Sequence, residues 1–294
     1  MSSKHRLIRQ ILLMVVCGFL ILGKSSNELS LAQSTLADPR DIVDNVLWLD
    51  ASDLDGDFKP GGDFVDSTRW MDKSTAKNAN ARQDNSANRP TLVAHGLNEL
   101  SVLRFDGNDF MDIDPAAFNM LSNVQGATLF AVVKTDSNSG QRLLMIATNR
   151  SAATRAGLNL FDEFGMNIAG KGNFGIAGRR LDVDPFQRIE GGTTTLGQFY
   201  QYTGVLDYAH SAVTLYVSGK PETTTSNFQS AGATSPTPSQ NIRIGADADL
   251  TALRGTFRGD IAELIVYRRA LAPEEREKIE AYLHKKWLQP RSLN

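Results

Sequence analysis

Along most of this chain apolar residues come in short runs separated by turn-forming residues, a pattern of many strands and few helices. The first run is Val46 to Asp50, and Val102 to Asp106 and Phe110 to Ile113 alternate inward and outward as half-exposed strands do. Gly107-Asn108-Asp109 between them is turn chemistry. Ala127 to Lys134 is nearly all apolar, which marks a central strand, and Arg142 to Thr148 and Leu158 to Phe161 follow. Gln198 to Leu206 places Phe199, Gln201, Thr203 and Val205 on one side and Tyr200, Tyr202, Gly204 and Leu206 on the other. Ala212 to Ser218 and Asn241 to Gly245 add two more strands. The polar stretch around Arg69 to Ser74 and on to Pro90 predicts mostly ordered loop. Pro221 to Gln240, rich in Thr, Ser and Pro, predicts a long surface loop.

The pattern changes near the end. Ile261 to Tyr267 is rich in branched and aromatic residues and predicts a strand buried on both faces. Pro273 suits the first turn of a helix, where its missing N–H is no loss. Glu274, Glu275 and Glu277 stand at the positive end of that helix, and His284, Lys285 and Lys286 at the negative end. Ile279, Tyr282, Leu283 and Trp287 form one apolar stripe, and Gln289-Pro290 ends it. The expected architecture is an all-β, antiparallel jelly-roll β-sandwich with one short C-terminal amphipathic helix, folded as a single domain over residues 46–290.

Composition alters this picture mainly at the N-terminus. Of 294 residues, the first 32 predict a signal peptide: Lys4, Arg6 and Arg9 precede an apolar run from Ile11 to Gly23. That run is short for a membrane span of about 20 residues. Ser30-Leu31-Ala32 favours cleavage before Gln33, and an uncleaved N-terminal anchor is the alternative, the one route to a membrane. Residues 33–45 are then a short polar leader. Cys17, the only cysteine, lies in the removed segment, so the exported chain is held by its core without disulfides. That segment carries a net +3, which leaves −5 of the whole-chain −2 balance on the rest. With no basic stripe, nucleic acid is not an expected partner.

Several motifs together resemble one family. LWLDASD (47–53), WMDKS (70–74), LRFDG (103–107), TLFAVVK (128–134), VTLYVSG (213–219) and GDIAELIVY (259–267), followed by the helix, resemble laminin-G-like, concanavalin-A-like lectin–glucanase jelly-roll domains of secreted bacterial proteins. The resemblance spans Val46 to Leu288. It implies two large curved antiparallel sheets and a ligand class of sugars, glycoconjugates or proteins, in some relatives bound through calcium. Some related folds are glycosidases. Fold therefore does not decide function.

The glycosidases of this type resemble a strand bearing Glu-x-Asp-x-x-Glu, whose glutamates share one face. This chain has no such motif. Glu263 is a single strand carboxylate expected to pair with a basic neighbour, and the glutamates at 274–277 serve the helix dipole and solubility. The pattern Gly165 to Lys171 lacks the Ser or Thr of a P-loop, since Gly172 stands there. Gly170, Gly172 and Gly175 lack a following helical pattern, so both are chance matches. His95, His210 and His284 have no ligand spacing, and no GxSxG elbow is present.

Asp53, Asp55 and Asp57 around Gly56 cluster hard oxygen ligands of the kind calcium prefers. Phe58 and Phe64 stand where an EF-hand has its glycine and closing glutamate, and a solvated acidic turn explains the same residues. Structural Ca2+ is the only cofactor indicated. Among the tryptophans, Trp48 and Trp287 fit the core, and Trp70, in polar surroundings, is the candidate sugar-stacking platform. Asn149-Arg150-Ser151 matches a glycosylation sequon. The expected function is a secreted or cell-surface, non-enzymatic module that binds a carbohydrate or glycoprotein ligand. The alternatives are a structural or adhesive module without a sugar site, and a polysaccharide hydrolase or lyase.

Overall fold

The computed structural model of the protein describes residues 37–59, 66–137, 139–149, 154–161, 171–222 and 227–290. The segment at 1–32 that the sequence predicts as a signal peptide, the sequon residues Arg150 and Ser151, Phe64 and the glycines at 165 and 170 lie outside them. Residues 38–294 group into one compact unit.

The strands are β1 (Asn45–Asp50), β2 (Arg69–Trp70), β3 (Ala81–Arg82), β4 (Thr91–Leu97), β5 (Leu100–Asp106) and β6 (Met111–Ile113). After them come β7 (Ala127–Thr135), β8 (Gln141–Ala147), β9 (Thr154–Phe161), β10 (Lys171–Gly178) and β11 (Gln187–Thr195). The last are β12 (Phe199–Asp207), β13 (Ala212–Val217), β14 (Lys220–Pro221), β15 (Asn241–Ile244) and β16 (Arg258–Tyr267). Helix α1 (Pro273–Leu283) continues into a π-helical turn, His284–Leu288.

These form two antiparallel sheets. One runs β14-β13-β12-β7-β16-β5-β4, with β1 also on β16, and the other β11-β10-β9-β8-β15-β6-β3-β2. The expected sandwich is present. Leu47, Leu49, Phe105, Leu129, Val133, Phe174, Tyr202 and Leu264 fill the space between the sheets. Each large side chain removed from water there contributes roughly 1.5–3 kcal/mol.

The centre of the first sheet, β1, β7 and β16, is buried on both faces, because α1 lies across its outer side. Ala127, Leu129, Ala131 and Val133 of β7 point into the sandwich, while Phe130 and Val132 pack under Ile279, Leu283 and Trp287 of the helical segment. That explains the unbroken apolar run of β7, which alternation alone would not need. The same alternation holds in β12, where Tyr202 and Leu206 enter the core and Thr203 donates to Glu280 of α1 at 2.9 Å.

The sequence pattern misses β4, β10, β11 and the short β2, β3 and β14. In β10 and β11 glycines at 172, 175, 178, 191 and 192 interrupt the apolar alternation that marks a strand. Close packing requires some of them. A Cβ on Gly178 would meet the Arg155 carbonyl oxygen at 2.3 Å. The second half of the predicted polar leader is also structured: Pro39–Asp41 forms a 3-10 turn, and Tyr267 donates its hydroxyl to the Pro39 carbonyl at 2.7 Å.

Candidate ligand-binding site

Where β1 pairs with β16, Asp50 stands directly opposite Glu263. Two carboxylates facing each other across strands repel, the more so in a buried setting. Both are almost wholly buried on the outer face of the sheet, and two lysines from elsewhere in the chain resolve the conflict. Lys286, from the π-helical turn, lies 2.6 Å from Asp50 Oδ2 and 2.7 Å from Glu263 Oε2. Lys73 lies 2.8 Å from Asp50 Oδ2 and 2.6 Å from Asp53 Oδ2.

Glu263 gathers three more donors. Trp48 Nε1 donates at 2.6 Å, Tyr282 Oη at 2.9 Å and Trp287 Nε1 at 2.5 Å. The indoles and the ammonium can only donate, so both carboxyl oxygens serve as acceptors, as an ionised carboxylate does. A β-bulge between Ile261 and Glu263 sets the strand's phase there. The π-helical turn, with its widened spacing, carries Lys286 and Trp287 into the same cluster. Asn98 closes that turn by donating to the Lys286 and Gln289 carbonyls at 2.8 and 3.0 Å.

Lys73 is aimed by its neighbour. Asp72 is buried and accepts from the backbone N–H groups of Trp48, Ser74, Asn78 and Ala79 and from the Ser74 hydroxyl, at 2.8 to 3.1 Å. The Lys73 N–H also donates to the Trp48 carbonyl at 2.8 Å. The segment is thereby fixed against β1 with the Lys73 ammonium over the Trp48 and Phe58 rings, at 4.6 and 4.9 Å.

Above this cluster lies a cavity of about 440 Å³ lined by charged, hydroxyl and aromatic groups. Asp38, Arg40 and Phe58 form its mouth, with Trp48, Ser52, Asp53, Lys73 and Tyr282 deeper. Arg40 is held by Asp38 through Nε at 2.9 Å and through Nη2 at 2.5 Å, and its guanidinium stacks 4.1 Å from the Phe58 ring. Phe58 is nevertheless 41% exposed, so ring surface remains open.

Burial alone would raise the Asp50 carboxyl, but Lys286 and Lys73 outweigh it and hold the group well below the ordinary aspartate range. Burial dominates at Glu263 and pushes it up, against the pull of Lys286. Asp53 is likewise raised by burial, opposed by Lys73 and reinforced by Asp55 and Asp50. Burial would lower Lys73, yet Asp50 and Asp53 raise it.

The residues singled out in the sequence separate in space. Trp70 lies in the core between the sheets with no exposed surface, so its ring has no open face for a sugar. Polar neighbours in sequence suggested a surface position; in space it packs with core residues such as Leu54 and Ala81. Asp53, Asp55 and Asp57 do converge, with carboxylate oxygens within 4.8 Å of one another. Those oxygens are already engaged. Asp53 accepts from the N–H groups of Asp57 and Phe58 at 3.1 and 2.9 Å and from Lys73, and Asp57 accepts from the Lys59 N–H at 2.8 Å. A calcium ion wants six to eight oxygens, and here it would have to displace an ammonium 2.6 Å from Asp53. Glu263 pairs with a basic residue as expected. Lys286, expected only to suit the helix dipole, is instead the half-buried partner of Glu263 and Asp50.

Two facing antiparallel sheets with a helix over one outer side define a lectin-type jelly roll. The family profile described as the concanavalin A-like lectin/glucanases superfamily matches residues 105–275, and the chain belongs to that superfamily. The match includes Glu263 and stops short of Trp48, Asp50, Lys73 and Lys286. No curated protein matches the chain. Among solved structures it is similar to the Trypanosoma rangeli sialidase in complex with sialic acid, at 18% identity and a TM-score of 0.53, over 83% of this chain and 33% of that one. It therefore spans about a third of that enzyme. The carbohydrate-binding module CBM40 of a Ruminococcus gnavus sialidase, bound to α2,3-sialyllactose, is 21% identical over 59% of this chain and 93% of that one, with a TM-score of 0.47. A Limulus polyphemus SAP-like pentraxin is 18% identical over 58% and 75%, with a TM-score of 0.45. At 18% identity the sialidase likeness speaks for the fold alone, and nothing is drawn from the two with TM-scores below 0.5.

Proposed function

We propose that the protein is an exported, non-enzymatic carbohydrate-binding module whose ligand site is the cavity between Arg40, Phe58 and Lys73. The observation that carries this reading is the lining itself: carboxylates, ammonium groups, a hydroxyl and an aromatic ring converge on one open space. Sugars present hydroxyls and apolar ring faces together, and such a mixed wall suits both. Membership of a lectin and glucanase superfamily supports it, and the basic and apolar N-terminus supports export. The non-enzymatic part rests on the carboxylates. Asp50, Asp53 and Glu263 are each engaged by several donors, which leaves none of them placed as a proton donor to a leaving group.

A glycan array probed with the folded chain tests this. Saturable binding to at least one glycan, lost in Phe58→Ala with an unchanged melting temperature, is the expected result. A blank array favours an adhesive module, and release of reducing ends from a polysaccharide favours a hydrolase. Weak structural calcium binding at Asp53, Asp55 and Asp57 is a second proposal, supported by their convergence. It predicts a higher melting temperature in excess calcium than in chelator, and equal values remove it.

A further inference from the structure

The charges on the wall of the cavity are matched among themselves. Three carboxylates line it, Asp38, Asp50 and Asp53, with three cations, Arg40, Lys73 and Lys286. Arg40 is held by Asp38, its Nε 2.9 Å from Oδ1. Lys73 reaches Asp50 at 2.8 Å and Asp53 at 2.6 Å, and Lys286 reaches Asp50 at 2.6 Å. Glu263 stands beneath, outside the lining, with no exposed surface and its oxygens taken by Lys286, Trp48, Tyr282 and Trp287. The rings are committed as well. The Arg40 guanidinium lies 4.1 Å from the Phe58 centroid, and the Lys73 ammonium 4.6 Å from that of Trp48.

A charged group entering such a space gives up its water, and among the lining residues every opposite charge already has a partner. It binds only by drawing one member of a pair away, which leaves the other uncompensated. A hydroxyl carries no such cost, because it donates and accepts without charge. The wall has places for both actions. Ser52 spends its proton on Asp50 Oδ1 at 2.7 Å, which leaves its oxygen as an acceptor. Lys73 gives two of its three N–H donors to Asp50 and Asp53, and the carboxylates have more lone pairs than their partners use.

We propose that the ligand of this cavity is an uncharged, hydroxyl-bearing glycan, and that the internal ion pairs of the wall select against sugars carrying a carboxylate, a sulfate or a free amine. This rests on the carbohydrate-binding reading above and names the ligand class within it. The hydroxyls bind to the fixed edges of the paired groups and to Ser52, while the exposed part of Phe58 offers apolar contact. Asp38 is the selective element at the mouth. By holding Arg40 it keeps a guanidinium from serving an acidic ligand, and Arg40 in turn shields the Asp38 carboxylate from a cationic one.

The test uses the folded chain on a glycan array holding neutral, sialylated, sulfated, uronate-bearing and free-amine glycans. Calorimetric titration follows, with the strongest neutral hit and with the same glycan carrying one sulfate. The array is expected to give neutral hits, with an affinity that changes less than about twofold between low salt and 0.5 M salt. The sulfated form is expected to bind more weakly than the neutral one. Asp38→Asn frees Arg40 and should raise the ratio of sulfated to neutral affinity about tenfold, the worth of one charge-assisted hydrogen bond. Asp84→Asn, on exposed surface, should leave that ratio unchanged. Strongest hits among acidic or free-amine glycans overturn the inference and leave the carbohydrate reading standing. So does a steep salt dependence of the neutral hit, or an unchanged ratio in Asp38→Asn. A blank array overturns the parent reading as well.

Discussion

Replacing Glu263 by glutamine keeps the shape of the side chain and removes the charge on which the helix and sheet converge. The carboxylate has no exposed surface and accepts from Trp48, Tyr282, Lys286 and Trp287. In Glu263→Gln one acceptor oxygen becomes an NH2 group, which must point at two of those donors. If it faces the Oε2 side, Lys286 and Trp287 lose their acceptor, and if it faces the Oε1 side, Trp48 and Tyr282 do. Breaking one partner of a buried ion pair costs about 3–5 kcal/mol, mostly because the remaining charge stays buried and uncompensated. Lys286 keeps Asp50, which places the expected loss toward the lower end of that range. For a domain of this size 1 kcal/mol corresponds to roughly 2–4 °C, so melting should fall by about 6–20 °C. Urea unfolding followed by tryptophan fluorescence measures the free energy, and Trp48 and Trp287 report from the site itself. Glu274→Gln, exposed on α1, is the control and should stay within about 0.5 kcal/mol. A loss below about 1 kcal/mol in Glu263→Gln would refute the view that this carboxylate pins the helix to the sheet.

Two other perturbations test the frame and its pH response. Gly259 in β16 has φ 150°, and a Cβ there would lie 2.0 Å from the Lys134 carbonyl oxygen of β7. Gly259→Ala should therefore destabilise by about 3 kcal/mol or more or abolish soluble expression, and a loss within 1 kcal/mol in chemical unfolding would contradict the packing. Asp109, in the turn before β6, is pushed up to about 6 by burial, with the neighbouring Asp106 charge adding to the effect. Between its unfolded value of 3.8 and 6 the folded chain holds a proton that the unfolded chain has released, so this group's contribution to stability falls as pH rises through that window. Asp109→Asn retains an oxygen for the Asp106 N–H, 2.8 Å away, and should flatten that part of the pH–melting profile. An unchanged slope between pH 4 and 6 would count against it.

The strands with the clearest periodicity in sequence are those whose burial is simple. β1, β5, β7, β12, β13 and β16 alternate or run apolar because each meets the core, α1 or both, and side-chain chemistry shows that directly. β10 and β11 do not, since they approach neighbouring backbone and side chains through glycine: a Cβ on Gly192 would lie 2.7 Å from a Val217 methyl carbon. A strand selected for the absence of side chains leaves no hydrophobic signal. β4 is faint for another reason. It is an edge strand whose residues are half-buried or exposed, and a register shift between Val93 and Leu97 breaks its alternation.

The cavity was legible only in fragments, and the reason is geometric. Asp50 and Asp53 stand in LWLDASD, Lys73 in WMDKS, Glu263 in GDIAELIVY and Lys286 in the last helical turn, so the charges of the cluster beneath it come from four segments spread over 237 positions of chain. Each fragment has a plain local meaning: strand end, polar loop, single strand carboxylate, helix dipole. Their common meaning depends on two facts that no local pattern carries. One is the antiparallel register that sets Asp50 against Glu263, and the other is the side of the sheet on which α1 lies. Once both are given, two facing carboxylates on a covered face require cations, and the lysines at 73 and 286 stand at the edges of that cover. Trp70 shows the converse. Its polar neighbours in sequence include Asp72, which turns inward to organise the loop, so local polarity marks a buried hub here and not a wet surface. The cluster that clamps α1 to the sheet also walls the cavity, so substitutions deep in it, such as Glu263→Gln, should act on stability before binding. Phe58 at the mouth makes no hydrogen bond to Glu263 or Lys286 through its ring, and there binding can change while the melting temperature stays nearly fixed.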